Sequence, residues 1–288
     1  MLSFFKLDTI KENAFQEGVQ IWTDSSKVKR FKKLLINAEE ILSKLQPNQK
    51  INYDDVLRKM IDAWKKNGER PKILIHSCCA PCSTYVLEFL SQRADITIYF
   101  TNSNIHPKVE YERRKYVQEK FINDFNERTG NHVAFLAAPY LPLDYFAKTK
   151  GLEKEPECGK RCSVCFEMRL DLAAKKAKEL NFDYFATALT ISPHKNSQVI
   201  NQIGLMLQKT DDFPYLPADF KKRGGYQRSI EMCKEYDVYR QCYCGCVFAA
   251  LQQGVDLVKV VHDAKQALKA VEDAKFLTEN EGNVAIEN

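Results

Sequence analysis

The chain has 288 residues, 44% of them hydrophobic, and a formal net charge of +5. That length allows one sizeable domain with a small appendage, and the apolar content excludes a disordered protein. No apolar run reaches the length of a membrane span, and the small positive surplus is compatible with a nucleic-acid partner without requiring one.

Residues 1–67 read as helical and charged, with 52–64 (NYDDVLRKMIDAW) the clearest amphipathic stretch. The opening Met1-Leu2-Ser3-Phe4-Phe5-Lys6 turns polar quickly, so a signal peptide is not expected. Gly68 and Pro71 stop the helix. Lys72-Ile73-Leu74-Ile75-His76 reads as a buried strand that runs into a cysteine motif, and 83–92 as a helix. A second strand over 96–100 leads to the loop 102–107 (NSNIHP), followed by a long charged helix over 108–128 and a third strand over 132–137. A short helix is expected at 144–149, a polar loop at 151–160, and a helix at 163–180. A fourth strand at 182–189 (FDYFATAL) ends in the loop 191–196 (ISPHKN).

Strands alternating with helices predict an α/β fold, a parallel sheet with helices on both faces. Ligands of such sheets gather at the carboxyl ends of strands. The Cys78 motif and the loops 102–107 and 192–196 all fall there. The expected organisation is a helical N-terminal extension over 1–70, an α/β domain with a cysteine-rich site over 71–276, and a disordered tail over 277–288.

Three cysteine sets carry the chemistry: Cys78-Cys79-Ala80-Pro81-Cys82, Cys158-x3-Cys162-x2-Cys165 and Cys242-Tyr243-Cys244-Gly245-Cys246. Secreted disulfide scaffolds are small and loop-rich, whereas this chain is long and patterned as an α/β enzyme; it reads as cytoplasmic with reduced thiols. A vicinal pair such as Cys78-Cys79 points its side chains apart, which suits two irons of a cluster better than one zinc. The Cys162-x2-Cys165 spacing fits zinc and iron–sulfur sites alike. Two thiolates from each of the first two sets make four, the usual complement of a [4Fe–4S] cluster. The plain alternative is that Cys78 and Cys79 are small buried hydrophobes. Cys244-Gly245-Cys246 can close a small strained disulfide and so hold two electrons, or it can supply further ligands or packing thiols. Cys82 stands close enough to reach a second metal, and Cys158, Cys233 and Cys242 are taken as structural.

Ile75-His76-Ser77-Cys78-Cys79-Ala80-Pro81-Cys82-Ser83 resembles the N-terminal signature of the QueH-type epoxyqueuosine reductases. The resemblance continues in order through residues 99–107 (YFTNSNIHP), 159–165 (GKRCSVC), 191–196 and 239–246 (YRQCYCGC). It implies reduction of epoxyqueuosine to queuosine at the wobble position of tRNA, a two-electron loss of the epoxide oxygen as water. By the same resemblance Cys78, Cys79, Cys162 and Cys165 hold a [4Fe–4S] cluster, and Cys244 with Cys246 form the redox-active pair. Some relatives place an additional iron beside the cluster; Cys82 stands where they carry an aspartate, which leaves that iron open. The implied fold is similar to the PP-loop, nucleotide-hydrolase-like class, with the cysteine motif in place of the phosphate loop. The implied partners are tRNA carrying epoxyqueuosine and an unidentified electron donor, with no membrane.

His76, His106, His194 and Tyr243 are candidate proton donors by motif position. Arg113-Arg114-Lys115, Lys195 and Lys221-Lys222-Arg223 offer positive charge, and Tyr226, Tyr239 and Tyr243 interleave with Arg228 and Arg240 as stacking surfaces for anticodon bases. Gly224-Gly225 reads as a flexible loop closing over the anticodon. Three other readings compete: a PP-loop-like tRNA thiolase, a zinc-stabilised nucleic-acid-binding protein, and a thiol–disulfide oxidoreductase. The chain lacks a Ser-Gly-Gly phosphate loop after its first strand, which weighs against the first.

Overall fold

Four short strands form a parallel sheet in the order β3-β2-β1-β4. They are β1 (Lys72–His76), β2 (Asp95–Phe100), β3 (Ala134–Ala137) and β4 (Tyr184–Thr187). The computed structural model describes residues 50–284 and Ser43, with side chains as far as Ala274. The chain divides at Gln49 into Met1–Gln49 and Lys50–Asn288, and the sheet belongs to the second unit. Most of the predicted 1–70 extension therefore lies outside the described residues, as do the last four residues of the predicted tail.

The central strands are apolar throughout because both of their faces are covered. Ile73, Leu74 and Ile75 of β1 and all four residues of β4 are buried. β1 pairs with β2 in the register Ile73↔Ile96 and with β4 in the register His76↔Thr187. A short parallel contact between Phe185 and Tyr215 extends the sheet beyond β4. Helix α1 (Tyr53–Asn67) buries Tyr53, Val56, Leu57, Met60 and Trp64 at three- and four-residue spacing, and Gly68 caps it at φ 65°. The Trp64 indole N–H donates to the Tyr184 hydroxyl at 3.4 Å, tying α1 to β4 within one unit.

Crossovers between parallel strands are right-handed. Helix α2 (Ala80–Leu90) joins β1 to β2, and α3 (Lys108–Thr129) joins β2 to β3, so both lie on one face. From β3 the chain returns through α4 (Pro142–Thr149) and α5 (Lys160–Glu179) to β4 on the far side of β1, which puts α5 on the opposite face. The direction of connection reverses between β1 and β4, and a crevice opens there at their carboxyl ends. The motif helices start earlier than expected: α2 at Ala80 rather than 83, and α5 at Lys160 rather than 163. Cys82 and Cys162 thus sit in first helical turns, where the helix dipole favours thiolates.

Beyond β4 come a 3-10 turn (Ala188–Ile191), α6 (Ser197–Asp211), α7 (Gly225–Glu235), α8 (Val247–Gln252) and α9 (Leu257–Val284). The last of these runs past 276. Gly224-Gly225 is the start of α7, not a flexible loop: a Cβ on Gly225 would lie 2.0 Å from the Phe220 carbonyl oxygen. The close approach leaves no room for a side chain at Gly225. No helix among the described residues is long and apolar enough to cross a membrane.

Candidate functional site

His76 ends β1 and organises the turn that follows. Its Nε2 faces the Asn102 Oδ1 at 3.3 Å, and its Nδ1 faces the Thr187 hydroxyl at 3.0 Å. The Asn102 amide N–H then donates to the Ser77 carbonyl at 2.8 Å. Gln118 of α3 bridges the two ends of the cysteine turn, accepting from the Ser77 hydroxyl at 3.0 Å and donating to the Ser83 hydroxyl at 2.8 Å. Burial pushes the His76 imidazole down to about 3, with Arg169 adding to the effect. A neutral, satisfied, fully buried ring is a structural histidine, so His76 is removed from the proton donors.

The turn gathers three buried sulfurs. Cys79 and Cys82 approach to 3.3 Å, Cys78 and Cys79 to 3.5 Å, and Cys78 and Cys82 to 3.5 Å. Cys82 is therefore a full member of the group rather than a neighbour of it. Thiol hydrogen bonds from Cys79 and Cys82 hold Cys78 well below the ordinary thiol range, against its burial. The contact with Cys78, together with burial, pushes Cys79 up to about 12, although the contact with Cys82 opposes the rise. The Gln241 amide donates to the Cys79 sulfur at 2.9 Å.

Cys78, Cys162, Cys165, Cys244 and Cys246 line one small cavity of about 30 Å³. Cysteines from three distant segments thus meet, and Cys79 adjoins Cys78. The peptide N–H of Cys158 donates to the Cys162 sulfur at 3.2 Å, so Cys158 belongs to this edge of the site rather than to a structural core. Arg161 folds the 151–159 loop over α5 by donating to the carbonyls of Leu152 (3.1 Å) and Glu153 (2.8 Å).

Two cations face these thiols, and no carboxylate among the described residues forms an ion pair with either. Arg169 is buried and donates to the Cys165 carbonyl at 3.1 Å. Lys195 is half-buried; burial would lower its ammonium, but Cys78, Cys82, Cys79 and Cys244 more than offset that and raise it. Buried charge is tolerated only when it is paired. Unmatched positive charge beside clustered thiols fits a group whose ligands are thiolates, such as a metal or iron–sulfur centre.

The Cys244-Gly245-Cys246 loop is held from beneath. Gly245 takes φ 108°, and a Cβ there would lie 2.8 Å from Ile105 and 3.2 Å from Arg114. Its carbonyl accepts from the His106 N–H at 2.8 Å. The Arg114 guanidinium donates to the Tyr243 and Cys244 carbonyls, both at 3.2 Å, and pairs with Glu110 at 2.7 Å. The Cys244 thiol, aided by the Tyr145 hydroxyl and opposed by burial, lowers Cys246 to about 5.

Several charges predicted to face a nucleic acid are engaged elsewhere. Arg114 is 1% exposed and serves the loop just described. Lys195 faces thiols. Arg223 pairs with Asp54 and Asp55, Lys221 with Asp219, and Arg228 with Glu88, Glu231 and Glu235. Tyr243 is buried with its hydroxyl on the His106 carbonyl. The Tyr239 ring lies under the Arg113 guanidinium at 3.4 Å. What remains is an open cleft of about 410 Å³ beside the thiol cavity, lined among others by Tyr226, Arg240, Gln241, His194 and Lys195. Cys82, Cys233 and Cys242 also reach it. His106 is half-buried with its Nδ1 on the Asn104 carbonyl, while His194 is exposed at the rim. Tyr145 and Arg169 carry no motif spacing, and Gln241, although inside 239–246, is not a ligand type, so the sequence does not single them out.

A family model described as Epoxyqueuosine reductase QueH matches residues 73–252. Among curated proteins, the epoxyqueuosine reductase QueH of Streptococcus pyogenes serotype M1 is 62% identical over 231 residues, spanning 80% of this chain and 91% of its own. The protein of that name from Staphylococcus aureus is 58% identical over 241 residues, 83% of this chain and 100% of its own. The one from Thermotoga maritima is 33% identical over 183 residues, 63% and 91% of the two chains. Among solved structures, the U34-tRNA thiolase NcsA from Methanococcus maripaludis with its [4Fe-4S] cluster aligns with 75% of this chain and 80% of its own. Its identity is 13% and its TM-score 0.38.

Proposed function

This chain belongs to the QueH family of epoxyqueuosine reductases, and from that premise we propose how its own residues carry the reaction. The activity is the reduction of epoxyqueuosine to queuosine in tRNA: the epoxide takes up two electrons and two protons, loses its oxygen as water and leaves an alkene. The observation that carries the residue assignment is the single cavity shared by Cys78, Cys162, Cys165, Cys244 and Cys246.

In this reading Cys78, Cys79, Cys162 and Cys165 hold a [4Fe–4S] cluster. Such a cluster, when bound, supplies electrons singly and a Lewis-acidic iron. Cys82, 3.3 Å from Cys79 and open to the neighbouring cleft, is the residue that would hold an additional iron. Lys195 and Arg169 balance the thiolate charge. Cys244 and Cys246 form the two-electron store: closing their disulfide releases both electrons, and an external donor must reopen it. The adjoining cleft receives the wobble nucleoside, with Tyr226 as a stacking surface and Arg240 near the backbone phosphates. His194, exposed where cavity and cleft meet, is the histidine best placed to protonate the leaving oxygen.

Iron and acid-labile sulfide measured on anaerobically purified protein test the assignment. About four of each per chain is expected, or about five irons if Cys82 holds one, with loss of the cluster in Cys78→Ser and Cys162→Ser. Stoichiometric zinc without sulfide would overturn it in favour of a zinc-stabilised RNA-binding protein.

A further inference from the structure

Tyr145 is 1% exposed, lies on the short helix α4, and points its hydroxyl at the Cys246 sulfur at 3.1 Å. Its ring packs with Cys165, Met168, Cys246 and Ala249, and the residue lines the same cavity as Cys78 and Cys162. Its position is fixed on both sides. The Thr149 hydroxyl donates to the Tyr145 carbonyl at 2.8 Å, and the His106 ring stands 5.8 Å away, centroid to centroid. A phenol buried this deeply needs an acceptor, and the sulfur of Cys246 is the one it has.

We infer that Tyr145 is a positioning residue of the two-electron store, biasing Cys244 and Cys246 toward the dithiol by donating a hydrogen bond to the Cys246 sulfur. The inference rests on the reading that these two cysteines cycle between dithiol and disulfide. When the pair is reduced, the Cys246 thiol sulfur is free to accept from the phenol at this distance. Oxidation forms the Cys244 Sγ–Cys246 Sγ bond, and two electrons and the two thiol protons leave. The Tyr145 hydroxyl keeps its own proton but is left against a disulfide sulfur, a weaker acceptor in a buried place. That asymmetry favours the reduced state. A net hydrogen bond changes an equilibrium constant by about fivefold.

The test is Tyr145→Phe, which keeps the ring and removes only the hydroxyl. Full-length wild type and variant, both with metal bound, are equilibrated anaerobically in graded mixtures of reduced and oxidised glutathione. Free thiols are then alkylated, and the tryptic peptide between Arg240 and Lys259, which contains Cys242, Cys244 and Cys246, is weighed. The variant should need a ratio of reduced glutathione squared to oxidised glutathione about fivefold higher at half-reduction, a midpoint about 20 mV more negative, with its iron content unchanged. An identical midpoint overturns the role of Tyr145, even if the variant unfolds at a lower temperature, because a purely packing residue would alter stability alone. Failure of the wild type to form the disulfide in any mixture would overturn the redox-pair reading and this inference with it.

Discussion

Replacing Arg114 with methionine should destabilise the fold by about 5 kcal/mol, a magnitude that follows from what the guanidinium touches. Arg114 and Glu110 are 1% and 0% exposed and pair at 2.7 Å. One oxygen of Glu110 already lacks a partner, and the other would keep only the Tyr239 hydroxyl at 3.2 Å. Removing one member of a buried ion pair costs about 3–5 kcal/mol, because the survivor stays charged and desolvated. The Tyr243 and Cys244 carbonyls lose their donors as well, at about 1 kcal/mol each where water cannot replace them. Urea denaturation of the full chain reads the loss as a lowered midpoint at unchanged slope. The double variant Glu110→Gln with Arg114→Met removes the stranded charge and should recover a substantial part of it. A loss below about 1 kcal/mol in the single variant, or no recovery in the double, would refute the reasoning.

Trp64→Ala should lower the single unfolding transition by about 3–5 kcal/mol, since the ring is 2% exposed and sits 5.5 Å from that of Tyr184. An unchanged melting temperature would mean that α1 is an appendage. Arg240→Ala should weaken tRNA binding and flatten the dependence of log K on log salt by about one unit. Arg228→Ala, whose side chain is already paired with three glutamates, should leave that slope alone. Equal effects from both variants in a filter-binding titration would sink the assignment of the cleft.

The alternation of apolar strands with charged helices made the parallel sheet legible, because strand burial on two faces leaves a continuous apolar run such as 73–75. Cysteine spacing made the thiol sets legible, since adjacency and short separations constrain where sulfurs can point. Arg114 shows where that legibility stops. With Glu110 four residues earlier on a charged helix, it reads as an ordinary solvent-facing ion pair, and Lys195 likewise reads as surface charge.

Local periodicity and the covalent distance between side chains suffice for the elements, their order and the segments that bring sulfur to the carboxyl ends of the strands. Tertiary contacts were needed to show that Cys82 joins Cys78 and Cys79, that Tyr145 meets Cys246, and that Arg114 is buried beneath a loop about 130 residues away. Those facts arise when distant segments exclude water from each other. A charge or a phenol acquires its role from what it is desolvated against, which local pattern does not encode.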